Sequence, residues 1–359
     1  MSNGQKYRWE QRGDKVCLWM NEGLTLWQLP IKLKDIHPDL LFLVECLLSY
    51  SYYKDEIVER MVKHVFTRKQ GKHPGLCFSG GVDSLAAQII MPKDTRLVYH
   101  KREMQIPGNC NYENVKALFE KLEQEVFVVP SNSDMFRMVH GDMCGYSSVF
   151  CCGLGVVLMA DYLDLGYFAT GMVLDSSYLS GLGNKYEDIS TGEEFIWKPF
   201  FEKAGLPFYF PVASVGEVVT HKICKESGLL DLTVSCFVGT NCNKCIKCYR
   251  KLLVDLRPPQ ITAKVQKQLD IEVLPHYAIY TEYALKNKLV WNRYLDGDFS
   301  WLDQYYPRAF ALIPDEFKEF QKEQIEKYAK PMKQPYLIEQ IDLYKNKYPK
   351  VVNNTLTLS

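Results

Sequence analysis

The fold of this chain is decided by residues 76–90, which read LCFSGGVDSLAAQII. The apolar run LCF at the start of this stretch predicts a strand, and the run LAAQII at its end predicts a helix. Two adjacent glycines between them allow the backbone to approach an anion and to take φ values that a side chain would forbid. The stretch therefore predicts a strand, a tight loop and a helix N-terminus, an arrangement that binds phosphate groups.

The polar side chains of this loop indicate what kind of phosphate it binds. Ser79 and Ser84 add hydroxyl donors, whereas the Asp83 carboxylate would repel a phosphate unless a cation lay between them. The loop therefore predicts a nucleotide polyphosphate, ATP, together with Mg²⁺. A Walker loop is excluded because no lysine follows Gly81. The alternative is a glycine turn that does no more than connect a strand to a helix.

Composition limits the function classes. A chain of 359 residues can bury a large core and form more than one domain. Its 43 basic and 43 acidic residues create no positive field that would attract nucleic acid. The start of the chain has no signal-peptide pattern, and the longest apolar run, residues 40–48, is too short to span a bilayer. With twelve cysteines, these features predict a cytoplasmic protein whose thiols are free or bind metal, with no membrane partner.

Three segments follow from the hydrophobic pattern. Residues 1–70 predict a β-meander, with strands at 7–12, 15–20 and 24–29, followed by helices at 38–52 and 55–68. Residues 71–257 alternate between strands at 75–78, 96–100, 125–129 and 167–170 and helices at 84–90, 111–123 and 148–163. Such alternation predicts an α/β domain whose parallel sheet carries helices on both faces. Residues 258–359 predict a helical C-terminal extension, including a helix at 315–328.

Four cysteines form the second strong motif. Cys236, Cys242, Cys245 and Cys248 lie within 13 residues, and two-residue spacings let neighbouring thiolates converge on one ion. This pattern predicts a Cys₄ zinc knuckle with a structural role. An iron–sulfur cluster and free thiols are the alternatives. The basic residues beside the cysteines, Lys244, Lys247, Arg250 and Lys251, would offset the charge of a zinc–tetrathiolate centre.

The loop at residues 79–84 resembles the signature of the PP-loop N-type ATP pyrophosphatases. Together with the later Ser-Cys…Cys-x-x-Cys-x-x-Cys cluster, the chain resembles the 7-cyano-7-deazaguanine synthase (QueC-like) family over residues 75–252. That resemblance implies an ATP-dependent ligase. A carboxylate such as 7-carboxy-7-deazaguanine attacks ATP to form an acyl-adenylate and pyrophosphate, and ammonia or an amine then displaces AMP.

Candidate site residues follow from the motif and from strand ends. The resemblance places ATP at Phe78, Ser79, Gly80, Gly81, Val82, Asp83 and Ser84, with Ser79, Asp83 and Ser84 as the catalytic residues. His100 and Arg102 close the next strand, where a base or ribose of ATP would lie. Gly171, Asp175 and Glu217 are candidates for substrate binding. For these last residues the alternatives are a turn cap at Asp175 and a favourable helix-dipole contact at Glu217. Cys151 and Cys152, which open an apolar stretch, are interpreted as inert core thiols.

This sequence departs from the family in ways that concern the substrate. Residues 99–103 read YHKRE where the family has a Tyr-Gly-Gln-Arg-His character, and the lysine that commonly precedes the helix glutamate is missing. These changes, with the additional segments 1–70 and 258–359, suggest a divergent member of the type found in antiphage defence. There the activated deazaguanine acid would be joined to a protein amine, so the additions would bind a protein acceptor. A homodimer is a further expectation.

Two other functions are consistent with the same motifs. A tRNA-modifying PP-loop thiolase would need a basic face and often carries paired catalytic cysteines, and the neutral charge argues against it. A zinc-stabilised binding module that senses ATP without turnover is the non-enzymatic alternative.

Overall fold

The computed structural model describes residues 6–21, 23–103, 111–142, 145–179, 185–236, 241–257, 259, 262–263, 265, 299–342, 350–352 and 355–357. The segments 266–298 and 343–349 of the predicted C-terminal extension lie outside these described residues. In the described part of the chain, no helix is both long enough and apolar enough to cross a membrane.

One mixed sheet of eight strands organises the molecule, in the order β1-β2-β3-β6-β5-β4-β7-β9. Its strands are β1 (Arg8–Arg12), β2 (Lys15–Met20), β3 (Gly23–Gln28), β4 (His73–Cys77), β5 (Arg96–Arg102), β6 (Val126–Ser131), β7 (Leu165–Thr170) and β9 (Phe208–Tyr209). Strands β6, β5, β4, β7 and β9 are parallel to their neighbours. The meander β1–β3 is antiparallel and joins β6 through the pair Trp27–Ser131. The parallel strands expected within residues 71–257 and the antiparallel meander expected at the N-terminus are both present. The sequence did not predict strand β9, nor that the meander would join β6 and so extend the same sheet.

Helices flank this sheet. They are α1 (Pro38–Ser49), α2 (Lys54–Lys63), α3 (Val82–Ile90), α4 (Tyr112–Phe119), α5 (Leu154–Leu158), α6 (Leu174–Tyr178), α7 (Lys198–Lys203), α8 (Glu217–Glu226), α9 (Ile246–Val254) and α10 (Asp315–Glu326). Local signals explain where several begin. The His37 side chain accepts the Asp39 N–H before α1, and the Asn111 side chain accepts the Glu113 N–H before α4. The general α/β architecture expected from the sequence is thus present.

The predicted helix at 148–163 is much shorter than expected. A 3₁₀ turn occupies Val149–Gly153, and α5 continues only to Leu158. Gly153 explains part of this difference, because a Cβ at this residue would lie 2.3 Å from the Phe168 ring of β7. The segment packs closely against the sheet as a 3₁₀ turn where a longer α-helix was expected. Two of its residues, Val149 and Cys152, line a cavity.

Five further short strands were not predicted. They are β8 (Lys185–Tyr186) within the α/β segment and, in the C-terminal segment, β10 (Gln304–Tyr305), β11 (Lys330–Pro331), β12 (Lys350–Val352) and β13 (Thr355–Thr357). Strands β10 and β11 form one two-stranded sheet, and β12 and β13 form another. Among the described C-terminal residues, the helical prediction is therefore right for α10 and wrong for these four strands. Two-residue strands such as β10 leave no periodicity in the sequence.

The hydrophobic core unites all three sequence segments. Trp27 of the meander, Phe168 of the parallel strands and Trp301 near the C-terminus belong to one cluster of buried side chains. Trp27 is fully buried and Trp301 is 1% exposed. The N- and C-terminal additions are therefore packed on the same core as the α/β elements, and this packing holds the carboxyl ends of β4, β5 and β7 around one cavity.

Candidate functional site

The loop between β4 and α3 has the geometry that the sequence predicts. Gly80 has a φ of 73°, in the left-handed region that side chains rarely adopt. A Cβ at Gly80 would also lie 2.9 Å from Cγ1 of Val115 in α4. Both the backbone angle and the lack of space thus require glycine at this position. Helix α3 begins directly after Gly81, so the N–H groups of its first turn face the loop and have no partner within the helix.

Two serine hydroxyls hold this loop closed. Ser79 Oγ and Ser84 Oγ lie 3.0 Å apart, and the Ser79 N–H donates to Ser84 Oγ over 3.2 Å. Ser84 Oγ also donates to the Gly81 carbonyl over 3.0 Å. The hydroxyls and the N-terminus of α3 therefore face a common point, at which an anion would meet several donors and the positive end of a helix dipole.

A cavity of about 490 Å³ opens above this loop. Its volume falls within the range of about 300–1,000 Å³ that is usual for small-molecule sites. The cavity lies at the carboxyl ends of parallel strands, where α/β sheets bind ligands. It is lined by Cys77, Phe78, Ser79, Gly81, Asp83, Ser84, Tyr99, His100, Arg102, Tyr146, Val149, Cys152, Thr170, Gly171, Met172, Ser176, Ser235, Lys247 and Lys251.

Most of the site residues predicted from the sequence meet at this cavity. Phe78, Ser79, Gly81, Asp83, Ser84, His100, Arg102 and Gly171 all line it. Four other predicted residues are not among the lining residues. Gly80 packs on Val115, Val82 is a core residue that is 3% exposed, and Asp175 lies in the first turn of α6 close to Gly216. Glu217 is buried, and it forms ion pairs with Arg250 and with Lys251, which does line the cavity.

Two lysines that sequence reasoning did not place in the site lie at the end of the cavity next to the loop. Lys247 and Lys251 line the cavity from α9, the helix that begins directly after Cys245 and contains Cys248. Their spacing of four residues puts both on one face of that helix. This four-residue spacing is visible in the sequence and could have indicated that both lysines serve the same site. The sequence had suggested only that these lysines offset the charge of the knuckle.

A buried ion network fixes Lys251 beside the loop. Its Nζ lies 3.2 Å from Glu217 Oε2 and 3.9 Å from Asp83 Oδ1, and Arg250 Nη2 lies 2.8 Å from Glu217 Oε1. Thr220 Oγ1 donates to Asp83 Oδ1 over 2.8 Å. Burial alone would lower the pKa of Lys251, but Asp83 and Glu217 outweigh it and raise that pKa. Lys251 is therefore a cation at neutral pH, directed toward the loop.

The four cysteines meet as the sequence predicts. The Sγ atoms of Cys236, Cys242, Cys245 and Cys248 all lie within 4.8 Å of one another. Two of these distances are 3.8 Å, for Cys236–Cys245, and 3.9 Å, for Cys242–Cys248. Four sulfurs about 2.3 Å from a central zinc would be about 3.8 Å apart, so the cluster fits such an ion. The thiolate donors are thus placed to bind one metal ion such as zinc.

The knuckle is attached directly to the loop. Two residues before Cys236, the Val234 N–H donates to the Gly80 carbonyl over 3.1 Å. The neighbouring Ser235 lines the cavity, and its Oγ would lie 3.6 Å from a Cβ at Gly81. The cysteine cluster thus lies between two contacts with the loop at Ser79–Ser84, one through Val234 and the other through Lys251 of α9.

The opposite end of the cavity is less charged. His100 is 7% exposed, and neither ring nitrogen has a hydrogen-bond partner among the described residues. Burial lowers the pKa of His100 from 6.5 to about 4, although Asp134 opposes the shift, so the ring is neutral at pH 7. Arg102 Nε lies 3.4 Å from the buried Asp134 carboxylate, and its guanidinium lies over the Tyr146 ring. This end of the cavity therefore holds a neutral imidazole, an aromatic ring and an arginine that is paired with a buried carboxylate.

Comparison with known proteins adds one partial match. Residues 196–274 match the model of a family of unknown function, DUF6395. The matched segment contains Glu217, the four cysteines, Lys247 and Lys251, but not the loop at 79–84. No curated protein matches this chain.

Proposed function

We propose that this chain is a PP-loop ATP pyrophosphatase of the QueC-like type, which adenylates a carboxylate and transfers the acyl group to ammonia or an amine. The observation that carries this proposal is the convergence on one cavity of the closed loop at Ser79–Ser84 with the lysines of the knuckle helix. Loop donors, a helix N-terminus and two cations together suit the polyphosphate of ATP.

Each group has a distinct part in this reaction. The hydroxyls of Ser79 and Ser84 and the first N–H groups of α3 hold the phosphates. Lys247 and Lys251 stabilise the negative charge that develops on pyrophosphate as it leaves. Asp83 and the hydroxyl of Ser84 offer the hard oxygen donors that Mg²⁺ prefers, and that ion would neutralise phosphate charge when bound. Thr220 and Lys251 hold the Asp83 carboxylate in place beside the loop.

The substrate end favours a neutral heterocycle. The uncharged His100 ring can both donate and accept a hydrogen bond, and Arg102 and Tyr146 lie beside it. We infer that the acid is deazapurine-like, as the resemblance to the synthases implies. The amine is ammonia or an amine of a protein acceptor, and the latter would place the enzyme in an antiphage-defence system. The N- and C-terminal additions would then contact that acceptor.

Sulfur transfer is a second candidate, because two cysteines, Cys77 and Cys152, line the same cavity. A thiolase acting on tRNA would also need clustered basic residues to bind phosphates. The chain has equal numbers of acidic and basic residues, which favours the carboxylate ligase.

Exchange of labelled pyrophosphate into ATP tests the proposed function. We expect exchange with 7-carboxy-7-deazaguanine and Mg²⁺ in the absence of RNA, and none after Asp83→Asn. Exchange that requires tRNA would support the thiolase. Binding of ATP without exchange for any acid would support a nucleotide sensor, and in either case the ligase proposal would be wrong.

A further inference from the structure

Two thiols lie together in the wall of the cavity. Cys77 is the last residue of β4, two positions before Ser79, and Cys152 belongs to the 3₁₀ turn Val149–Gly153. Both line the cavity, both are partly exposed, and their side chains are within hydrogen-bonding reach of each other. The adjacent Cys151 points elsewhere, because its Sγ donates to the Leu47 carbonyl in the core. Both Cys151 and Cys152 were expected to be core thiols. Cys151 lies in the core as expected, whereas Cys152 lines the cavity.

The surroundings of the two thiols differ. Cys77 Sγ donates to the Cys152 carbonyl over 3.0 Å, and hydrogen bonding to Cys152 and burial raise its pKa. Cys152 Sγ donates in turn to the Val149 carbonyl over 3.2 Å. Side-chain hydrogen bonding between the two thiols lowers the pKa of Cys152, and the positive charge of Arg102 lowers it further, against the effect of burial. Tyr146 faces the same pair and is neutral, because burial raises its pKa. The Asp134 carboxylate, 3.4 Å from Arg102 Nε, partly offsets the positive charge of that guanidinium. The thiolate therefore forms preferentially on Cys152.

We propose that Cys152 is a nucleophile that receives the acyl group from the adenylate before the amine does. This inference rests on the proposed function. The two sulfurs share one cavity with the phosphate loop, so an acid activated above Ser79 and Ser84 would have its carbonyl carbon in the same space as Cys152. Covalent capture would also keep the activated acid from water until a large acceptor binds.

The step balances without an oxidant or reductant. The Cys152 thiolate attacks the acyl carbon, an S–C bond forms, and the bond from that carbon to the AMP oxygen breaks, with AMP leaving with the electron pair. The amine nitrogen then attacks the thioester carbon, and the C–S bond breaks. The proton lost by the amine passes first to the departing sulfur, and its release to solvent regenerates the Cys152 thiolate.

Alkylation tests the nucleophile without requiring knowledge of the acid. With limiting iodoacetamide and peptide mapping of the full-length protein, we expect Cys152 to react before Cys77, and MgATP to slow that reaction. The pH midpoint of alkylation should lie below about 8.5, the value for an ordinary cysteine. Cys77→Ala should raise the midpoint because the donated hydrogen bond is lost. Failure of Cys152 to react before Cys77 would overturn the proposal.

A covalent adduct tests the acyl transfer itself. With ATP and 7-carboxy-7-deazaguanine, acid-quenched protein should gain the mass of the acid less one water, and hydroxylamine should remove it. Cys152→Ser should abolish that adduct and slow amide formation at least about tenfold while leaving pyrophosphate exchange intact. Cys151→Ser is the matched control and should behave as the wild type. Exchange by the wild type without a Cys152-dependent adduct would refute acyl capture, whereas absence of exchange would refute the proposed function instead.

Discussion

At the scale of single residues, Lys251 balances two carboxylates beside the loop at Ser79–Ser84. Its ammonium lies between Asp83 and Glu217, and only 15% of its side chain is exposed. We expect Lys251→Met to weaken ATP binding by roughly tenfold to a hundredfold, since a charged hydrogen bond contributes about 1.5–3 kcal/mol. Calorimetric titration with ATP measures this. Lys116→Met is the control and should bind ATP normally, because the Lys116 side chain lies on the exposed face of α4.

Gly80 can be tested against a glycine with the same backbone angle. Gly80 has φ 73° and Val115 beside it, whereas Gly228 has φ 75° and nothing within 4 Å of a Cβ. We expect alanine at either position to cost about 1–2 kcal/mol for the left-handed backbone. Gly80→Ala should cost about 1–3 kcal/mol more for overpacking. Urea unfolding measures both variants, and equal losses would show that Val115 gives way.

His100 predicts a pH dependence of stability. The unfolded chain takes up a proton near pH 6.5, but the buried ring in the folded protein resists protonation until about pH 4. The contribution of the neutral ring is therefore complete above pH 6.5 and is lost as the pH falls toward 4, by up to about 3 kcal/mol. His100→Gln should flatten this part of the profile. The free energies of unfolding of the variant and the wild type are compared at pH 7 and 4.5. The difference separates the contribution of His100 from that of His221, whose pKa is also lowered and which both proteins contain.

At the scale of elements, helix α9 connects the four-cysteine cluster to the cavity, because it contains Cys248 as well as Lys247 and Lys251. We expect one zinc per chain in the purified protein. Chelation should weaken the proposed ATP binding as well as stability, because the cysteines and the two lysines share this helix and the turn before it. Cys245→Ser should lower zinc content and ATP affinity together, whereas Cys17→Ser, in strand β2, should keep both. Normal ATP binding by metal-free protein would show that α9 holds its place without the ion.

Elements also differ in how well their sequences predicted them. Strands β2 and β5 begin where alternation and apolar runs indicated, because those signals are local. Helix α5 was overestimated because its length depends on close packing of Gly153 against Phe168 of β7. A contact between segments that are distant along the chain leaves no periodicity for a sequence pattern to register.

At the scale of the whole molecule, the meander is part of the main sheet. Strand β3 pairs with β6, and Trp27 is fully buried in the shared core. We expect a chain that lacks residues 1–35 to lose cooperative thermal unfolding. Trp27→Ala should destabilise the intact protein by about 3–5 kcal/mol, as removal of a buried aromatic ring usually does. Cooperative unfolding of the shortened chain at an unchanged temperature would contradict this dependence.

The sequence by itself determined the glycine loop between β4 and α3, the four-cysteine cluster and the alternating α/β pattern, because each depends on residues close together in the chain. Only the tertiary structure decided that β1–β3 extend the same sheet, that Lys247 and Lys251 line the same cavity as that loop, and that Cys77 and Cys152 line it too. Those arrangements bring together residues about 75 to 170 positions apart, and the burial of apolar surface that drives them has no direction along the chain.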